Sequence, residues 1–402
     1  MTVFDFATNQ LVPVGNGVRQ YKPDKLDFGP RVGLSWDPFG KARTVLRAGV
    51  GLYYDVPLLS ASAAMENNPP FATTSTFTYT GIALSNPFVP GSTAALSPNA
   101  MTPDYKGARV PQYNFNIQQQ AWSTVFQAGY IGSAGRRLAV QRDYNQGVAG
   151  VRPIAGYGQI NLYGSTARSS YNAFWLSANR RLARGLTFDA SYTFSKSIDT
   201  ASTSGNAQIQ NANDLNAENA LSDFDARNRV VASIVYQFPW KARRFKLLAN
   251  DWSMSVVGNY QSGNPFSPII SSLRSGSLNT NDRPDVVYGQ SPNLDSPDPA
   301  RFFNTAAFVL NQTNHFGNAG RNILTGPVLR DADISFLKLF PVRDRLAVQF
   351  RAKYFNVANT PNFGEPGNSV TAANFGVVQT TRSQRGDFSS SRQIEFALKV
   401  LF

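Results

Sequence analysis

An all-β fold, a transmembrane antiparallel β-barrel, is what this sequence predicts, and three observations predict it. Windows of strictly alternating apolar and polar residues recur along the chain. They are as long as the about 9 to 11 residues that a tilted membrane-crossing strand needs, against about 5 to 6 for an ordinary strand. Short and long gaps between them take turns without exception, the asymmetry of a barrel with short periplasmic turns and long extracellular loops.

Strands are expected near 31–37, 43–54, 112–120, 123–132, 172–183, 186–197, 229–238, 252–262, 331–340, 345–356 and 393–402. The period-two pattern carries them. Leu46, Ala48, Val50, Leu52 and Tyr54 share one face, opposite Arg47, Gly49, Gly51 and Tyr53. Leu186, Phe188, Ala190, Tyr192 and Phe194 oppose Thr187, Asp189, Ser191, Thr193 and Ser195. Val230, Ala232, Ile234, Tyr236 and Phe238 make a further face, as do Trp252, Met254, Val256 and Tyr260. Leu346, Val348, Phe350, Ala352 and Tyr354 oppose Gln349, Arg351 and Lys353; Ile394, Phe396, Leu398, Val400 and Phe402 oppose Gln393, Glu395 and Lys399. Pro38 to Ala42, Arg184-Gly185 and Val342 to Asp344 read as short turns, and the long gaps are rich in Asn, Ser, Thr, Gly and Pro. With 393–402 running inward, every short gap falls on the periplasmic side. Eleven strands is an odd number and bacterial barrels are even. Met1 to Phe6 is therefore a candidate partial twelfth strand, or else the chain is the C-terminal part of a larger barrel.

Composition agrees. Of 402 residues, 42% are hydrophobic and 12% aromatic while only 16% are charged, against roughly 25% charged in soluble domains. That excludes a disordered chain. The net charge of +13 suggests an anionic partner or surface. There is no Cys, which excludes disulfides, thiolate metals and Cys nucleophiles, and His315, the single His, sits in a polar stretch unsuited to a triad or a zinc site. No apolar run is long enough for a membrane helix. No signal-peptide pattern is visible at Met1 to Asp5, which is expected of a truncated chain.

No residue set reads as catalytic, no enzyme is expected, and no cofactor or metal is assigned. Asp214, Glu218, Asp223 and Asp225 cluster in the 198–228 loop but lack a ligand spacing; Asp282 and Asp285 are weaker. Arg47, Asp189, Gln349, Arg351, Lys353, Glu395 and Lys399 are expected to face the lumen. There they either line a solute path or form the generic polar lining of a hydrated barrel. Trp36, Trp122, Trp240, Trp252, Tyr53 and Tyr54, near strand ends, suit aromatic girdles. Lys338 shares parity with Ile334, Phe336 and Phe340. Either it snorkels from the lipid face to the nearby strand end, or Leu337 and Leu339 turn to lipid and it faces the lumen.

Several stretches resemble a known family: Arg31-Val-Gly-Leu-Ser-Trp-Asp-Pro-Phe-Gly40, Thr44 to Asp55, Tyr171-Asn-Ala-Phe174, Gly185 to Asp199 and Ser222-Asp-Phe-Asp-Ala-Arg-Asn-Arg229. Phe303-Asn-Thr-Ala-Ala-Phe308, Phe316-Gly-Asn-Ala-Gly-Arg-Asn322 and Phe350 to Asn359 continue the series in order. The ordered set is similar to the barrel of Oar-like TonB-dependent transporters. The resemblance implies that 1–402 is the C-terminal portion of the receptor barrel, with the plug and an N-terminal carboxypeptidase-regulatory-like domain absent, and so a fragment not competent alone. It implies uptake of an unknown small solute (siderophore, oligosaccharide or peptide), with substrate selection in loops 55–111 and 263–330, and contact with TonB only through the missing plug. The expected surroundings are the lipid and lipopolysaccharide of a Gram-negative-type outer membrane, and the last residue, Phe402, resembles the signal read by the barrel-assembly machinery. Nucleic acid is not an expected partner, because the Arg residues are scattered. A plugless porin-like or structural outer-membrane protein is the alternative, and a soluble basic β-protein a remoter one.

Overall fold

The computed structural model describes residues 1–24, 26–56, 59–70, 72, 95–204, 209–272, 274–279, 282–343, 346–382 and 391–402. Asp344 of the expected turn, and 73–94 within the expected 55–111 loop, lie outside the described residues. The long strands are β1 (Arg31–Trp36), β2 (Thr44–Tyr54), β3 (Arg109–Ala121), β4 (Thr124–Ser133), β5 (Ser169–Ala183) and β6 (Leu186–Asp199). They continue with β7 (Asn228–Gln237), β8 (Trp252–Gln261), β9 (Leu329–Arg343), β10 (Leu346–Phe355) and β11 (Gln393–Leu401). Each pairs antiparallel with its neighbour in chain order, from β1 beside β2 to β10 beside β11. Every expected window is one of these strands.

The register explains why alternation was so clean. Ile234, Val256, Ile334, Tyr354 and Ile394 lie in one row across β7 to β11. Leu34, Ala48, Phe115, Tyr130, Phe174 and Phe194 make a second row across β1 to β6. One residue along, the other face carries Val235, Ser255, Ser335, Lys353 and Glu395 in a row. Because successive side chains point to opposite faces, a whole sheet with such rows has one apolar and one polar side.

The buried apolar clusters lie in the connections: Val3, Ala61, Met65, Met101 and Tyr105; Phe266, Phe303, Ala307, Phe308 and Leu324; and two smaller groups around Ile160 and Val140. Of the buried apolar residues only Ala173 and Ala352 belong to the eleven strands. Phe396, Leu398, Val400, Leu34 and Phe115 are instead exposed on the apolar face. An apolar surface of this extent on a chain that makes its core elsewhere is a lipid-facing surface. Short turns match their strands. Arg184 and Gly185 have φ of 51° and 79°, the paired left-handed conformations of a two-residue hairpin. A Cβ on Gly185 would meet the carbonyl oxygen of Gln237 at 2.5 Å.

Three expectations are settled or corrected by the register. Met1 to Phe6 does not add a twelfth strand to the sheet: Thr2–Asp5 pairs with Gln10–Pro13 and buries Val3 and Phe4 among connection residues. Three or four consecutive buried side chains suit a packed ribbon rather than a half-wet barrel edge. Tyr53 is not a girdle residue, since it shares the polar face with Arg47 and stacks under the Arg31 guanidinium at 4.4 Å. Lys338 pairs with Trp252 and Phe350, so it lies on the apolar face. It is 1% exposed, and its Nζ donates to the carbonyl oxygens of Asn250 at 2.6 Å and Leu339 at 2.7 Å. The ammonium thus reaches backbone acceptors at the short-turn end, the cheap solution for a cation on a lipid face.

Candidate functional site

The sequence-derived candidates fall into three groups on the polar face. Gln349, Arg351, Lys353, Glu395 and Lys399 come together on β10 and β11, where Lys353 Nζ lies 3.3 Å from Glu395 Oε1 and Arg351 donates to Gln349 at 3.3 Å. Asp189 on β6 is apart from them and accepts from Asn179 Nδ2 at 2.7 Å. Arg47 on β2 is apart again and donates to Gln118 at 2.9 Å. All of them lie on the polar face of the sheet, and Arg47, Asp189, Gln349, Arg351, Lys353 and Glu395 each bind a neighbour there. Phe402 follows the last residue of β11 and is exposed.

The long connections fold into a canopy beyond the outer strand ends, and buried charge holds it together. Arg283 donates to both oxygens of Glu218, at 2.6 and 3.0 Å, and its Nε to Ala319 O at 2.9 Å. Gln210 accepts from Arg283 N and donates to Gly317 O. Arg321 binds Asp199, Asp223, Ser202 Oγ and Glu218 O, tying β6 and the 200–227 connection to the 262–328 connection. Arg152 and Asp143 pair at 2.7 Å in the 134–168 connection. A buried guanidinium is tolerated only with such fork-like, fully paired geometry. The acidic cluster read in the 198–228 loop is thereby spent on protein partners. Glu218 holds Arg283, Asp225 caps Ser197 N, and Asp214 caps Asn216 N. Asp282 accepts from Ser275.

Under the canopy lies a cavity of about 360 Å³ whose wall comes from three connections. Thr200, Ser202 and Asp223 stand on one side, Asn264, Ser267, Arg321 and Asn322 on the second, Glu365 and Asn368 on the third. Its side-chain donors point into the protein. Asn264 Nδ2 binds Asp225 O, Asn322 Nδ2 binds Leu221 O and Asp223, and Asn368 Nδ2 binds Ser267 O. Ser202 donates to Asp199, Ser267 to Asn322 Oδ1, and Thr200 to Arg168 O. Acceptors are what remain. Among the described residues Glu365 makes no hydrogen bond or ion pair, and burial, then the facing Asp223, push its carboxyl above the ordinary range against a pull from Arg382. The sign of the linkage follows. The native chain holds the Glu365 proton more tightly than the unfolded one, so the charged form lowers stability at neutral pH and that loss fades as pH falls through the raised value toward 4.5. Glu365→Gln is expected to raise stability at pH 7 by a fraction of a kcal/mol, because cavity water screens the charge, and to flatten the gain on acidification. Equal acid responses of the two proteins in denaturant titrations would refute this.

Of the cavity residues only Asp223 was singled out in the sequence, as part of the acidic cluster of the 198–228 loop, and the cavity itself was not read there. The available signal was positional: Asp223, Arg321 and Asn322 lie in two of the ordered family-like stretches.

A family model described as an outer membrane beta-barrel domain matches residues 1–395. No curated protein matches significantly. Among solved structures the chain is similar to the outer membrane transporter YddB of Escherichia coli, with a TM-score of 0.54 at 10% identity over 92% of this chain and 40% of that one. It is also similar to the pyoverdine outer membrane receptor FpvA of Pseudomonas aeruginosa (TM-score 0.47, 10% identity, 93% and 36% covered). The FrpB iron transporter of Neisseria meningitidis follows at TM-score 0.45 and 11% identity, with 92% and 38% covered. The chain thus spans about two fifths of the length of these proteins, and at such identities the likeness is one of fold.

Proposed function

This chain belongs to the outer membrane beta-barrel domain family and is integral to the outer membrane, and from that premise we propose that it is the barrel of a TonB-dependent uptake receptor of the Oar-like kind. In this reading residues 1–402 supply barrel wall and outer canopy. Energy coupling is the work of a plug domain and its contact with TonB, and the chain is no enzyme. Arg47, Asp189, Gln349, Arg351, Lys353 and Glu395 form the hydrated wall past which solute moves. Phe402, an aromatic end to an alternating strand, supports recognition by the barrel-assembly machinery.

One observation carries the solute class: the canopy cavity offers acceptors and two carboxylates while its side-chain donors are committed elsewhere. A ligand must then bring hydrogen-bond donors and positive charge, as an alkylammonium or guanidinium group does. Accumulation of labelled spermidine by cells carrying the whole receptor tests this. The expected result is uptake that a protonophore abolishes and that Glu365→Gln reduces about tenfold, the scale of one lost charge-assisted hydrogen bond. Uptake indifferent to the protonophore would overturn energy coupling, and uptake indifferent to Glu365→Gln, or competed equally by an uncharged polyol, would overturn the cationic class.

A further inference from the structure

The longest of the short connections, 239–251 between β7 and β8, carries chemistry that solute passage does not use. The apolar face of β7 does not stop at its strand end. Tyr236, Phe238 and Trp240 continue it, with ring centroids 5.1 and 4.5 Å apart. Next come Lys241, Arg243, Arg244 and Lys246, with Asp251 as the one acid of the segment. A short helix, Lys246–Ala249, follows with no buried residue, and Phe245 is 78% and Leu248 64% exposed.

The segment is nonetheless pinned in place. Asn250 Oδ1 accepts from Ala242 N at 2.8 Å, Trp252 Nε1 donates to Leu248 O at 2.7 Å, and Lys338 holds Asn250 O. Its four cations make no ion pair or side-chain hydrogen bond with any described residue. The end of the neighbouring β5 adds Arg181 and the β5–β6 turn adds Arg184, and that turn is tied to the end of β7 by Gln237 N donating to Gly185 O at 2.8 Å. Arg343 ends β9 next door.

Fixed aromatic and aliphatic side chains continuous with the lipid-facing surface place these cations where phospholipid headgroups begin, since such side chains settle at the interface. A solvated rim would need neither the exposed Phe245 and Leu248 nor an excess of one sign. We propose that 239–251, with Arg181, Arg184 and Arg343, is an anchor that selectively binds anionic glycerophospholipid headgroups of the leaflet at the short-turn end.

Native mass spectrometry of the detergent-solubilised protein with equal amounts of phosphatidylglycerol and phosphatidylcholine tests it. Phosphatidylglycerol adducts are expected to be retained at least about tenfold over phosphatidylcholine, because each cation near an anionic surface contributes about fivefold. The preference should fall as salt screens the charges. The combined variant Lys241→Gln, Arg243→Gln, Arg244→Gln and Lys246→Gln should lose it. Single Arg243→Gln and Arg244→Gln variants, each lowering it several-fold, keep the test valid should the combined variant not fold. Equal retention of the two lipids, a preference unchanged in these variants, or displacement of phosphatidylglycerol by bisphosphorylated lipid A at the same cations would each overturn the proposal.

Discussion

Arg321→Ala is expected to unfasten the outer canopy while leaving the eleven long strands of the sheet paired. Arg321 is 7% exposed, and its side chain binds four separate points of the chain. Nε meets Glu218 O at 3.0 Å, Nη1 meets Ser202 Oγ and Asp223 Oδ1 at 3.2 Å, and Nη2 meets Asp199 O at 2.7 Å as well as the Asp199 carboxylate. Asp199, itself buried at the end of β6, is left as an unpaired charge. Removing one partner of such a pair costs about 3–5 kcal/mol. That exceeds what a surface connection gains from its own short contacts, whereas the strands keep their ladders. Hydrogen exchange should therefore accelerate by more than about a hundredfold in 209–225 and 316–326, as about 3 kcal/mol implies, and little change should appear in β7, β8 or β9. Arg321→Lys should rescue only in part, because one ammonium cannot reach all four partners. Unchanged protection in those connections would mean that the apolar clusters alone hold the canopy.

The contrast between sheet and canopy also explains what was legible in the sequence. A strand between lipid and water must alternate, so 331–340 could be read and is found within Leu329–Arg343, and 229–238 is Asn228–Gln237. The side on which Lys338 lies needed the register, because parity alone allowed two solutions that the pairing with Trp252 and Phe350 decides. The canopy was opaque for a different reason. Its strands, such as Phe308–Val309 and Leu324–Thr325, are two residues long and carry no periodicity. Its strongest bonds join residues far apart: Arg283 to Glu218, Arg321 to Asp199, Gln146 to Gln210. Nothing local in a sequence announces such a partner. The polar-face candidates could thus be placed by parity, whereas Glu365 and Asn368 became part of a site only when three connections met. The family-like stretches around Asp223 and Arg321 were the one trace of that meeting, and they named positions without saying what the positions do.

Two neighbouring valines on β8 should respond in opposite ways to the same substitution. Val256 pairs with Ile234 and Ile334 in the apolar row, and Val257 pairs with Ser233 and Asp333 on the polar side. Val256→Lys puts an ammonium against hydrocarbon in mid-strand and is expected to cost about 2–4 kcal/mol in bilayers. Val257→Lys meets water and stands opposite Asp333, so its cost should be near zero. Urea titrations of the protein folded in vesicles compare the two directly. Equal costs, or a neutral Val256→Lys, would mean that the row from Ile234 to Ile394 does not face lipid. Lys338 shows why depth decides the outcome. It shares the apolar face with Val256, yet its ammonium ends on the carbonyls of Asn250 and Leu339 beside the short connection. A lysine at 256 sits four residues along the strand from the Lys338–Trp252 row, at a row whose neighbours on both sides are isoleucine, and finds no such acceptor. The penalty should accordingly shrink when the same substitution is made at Met254, two residues closer to those carbonyls on the same face, which separates a cost of membrane depth from a cost of lost packing.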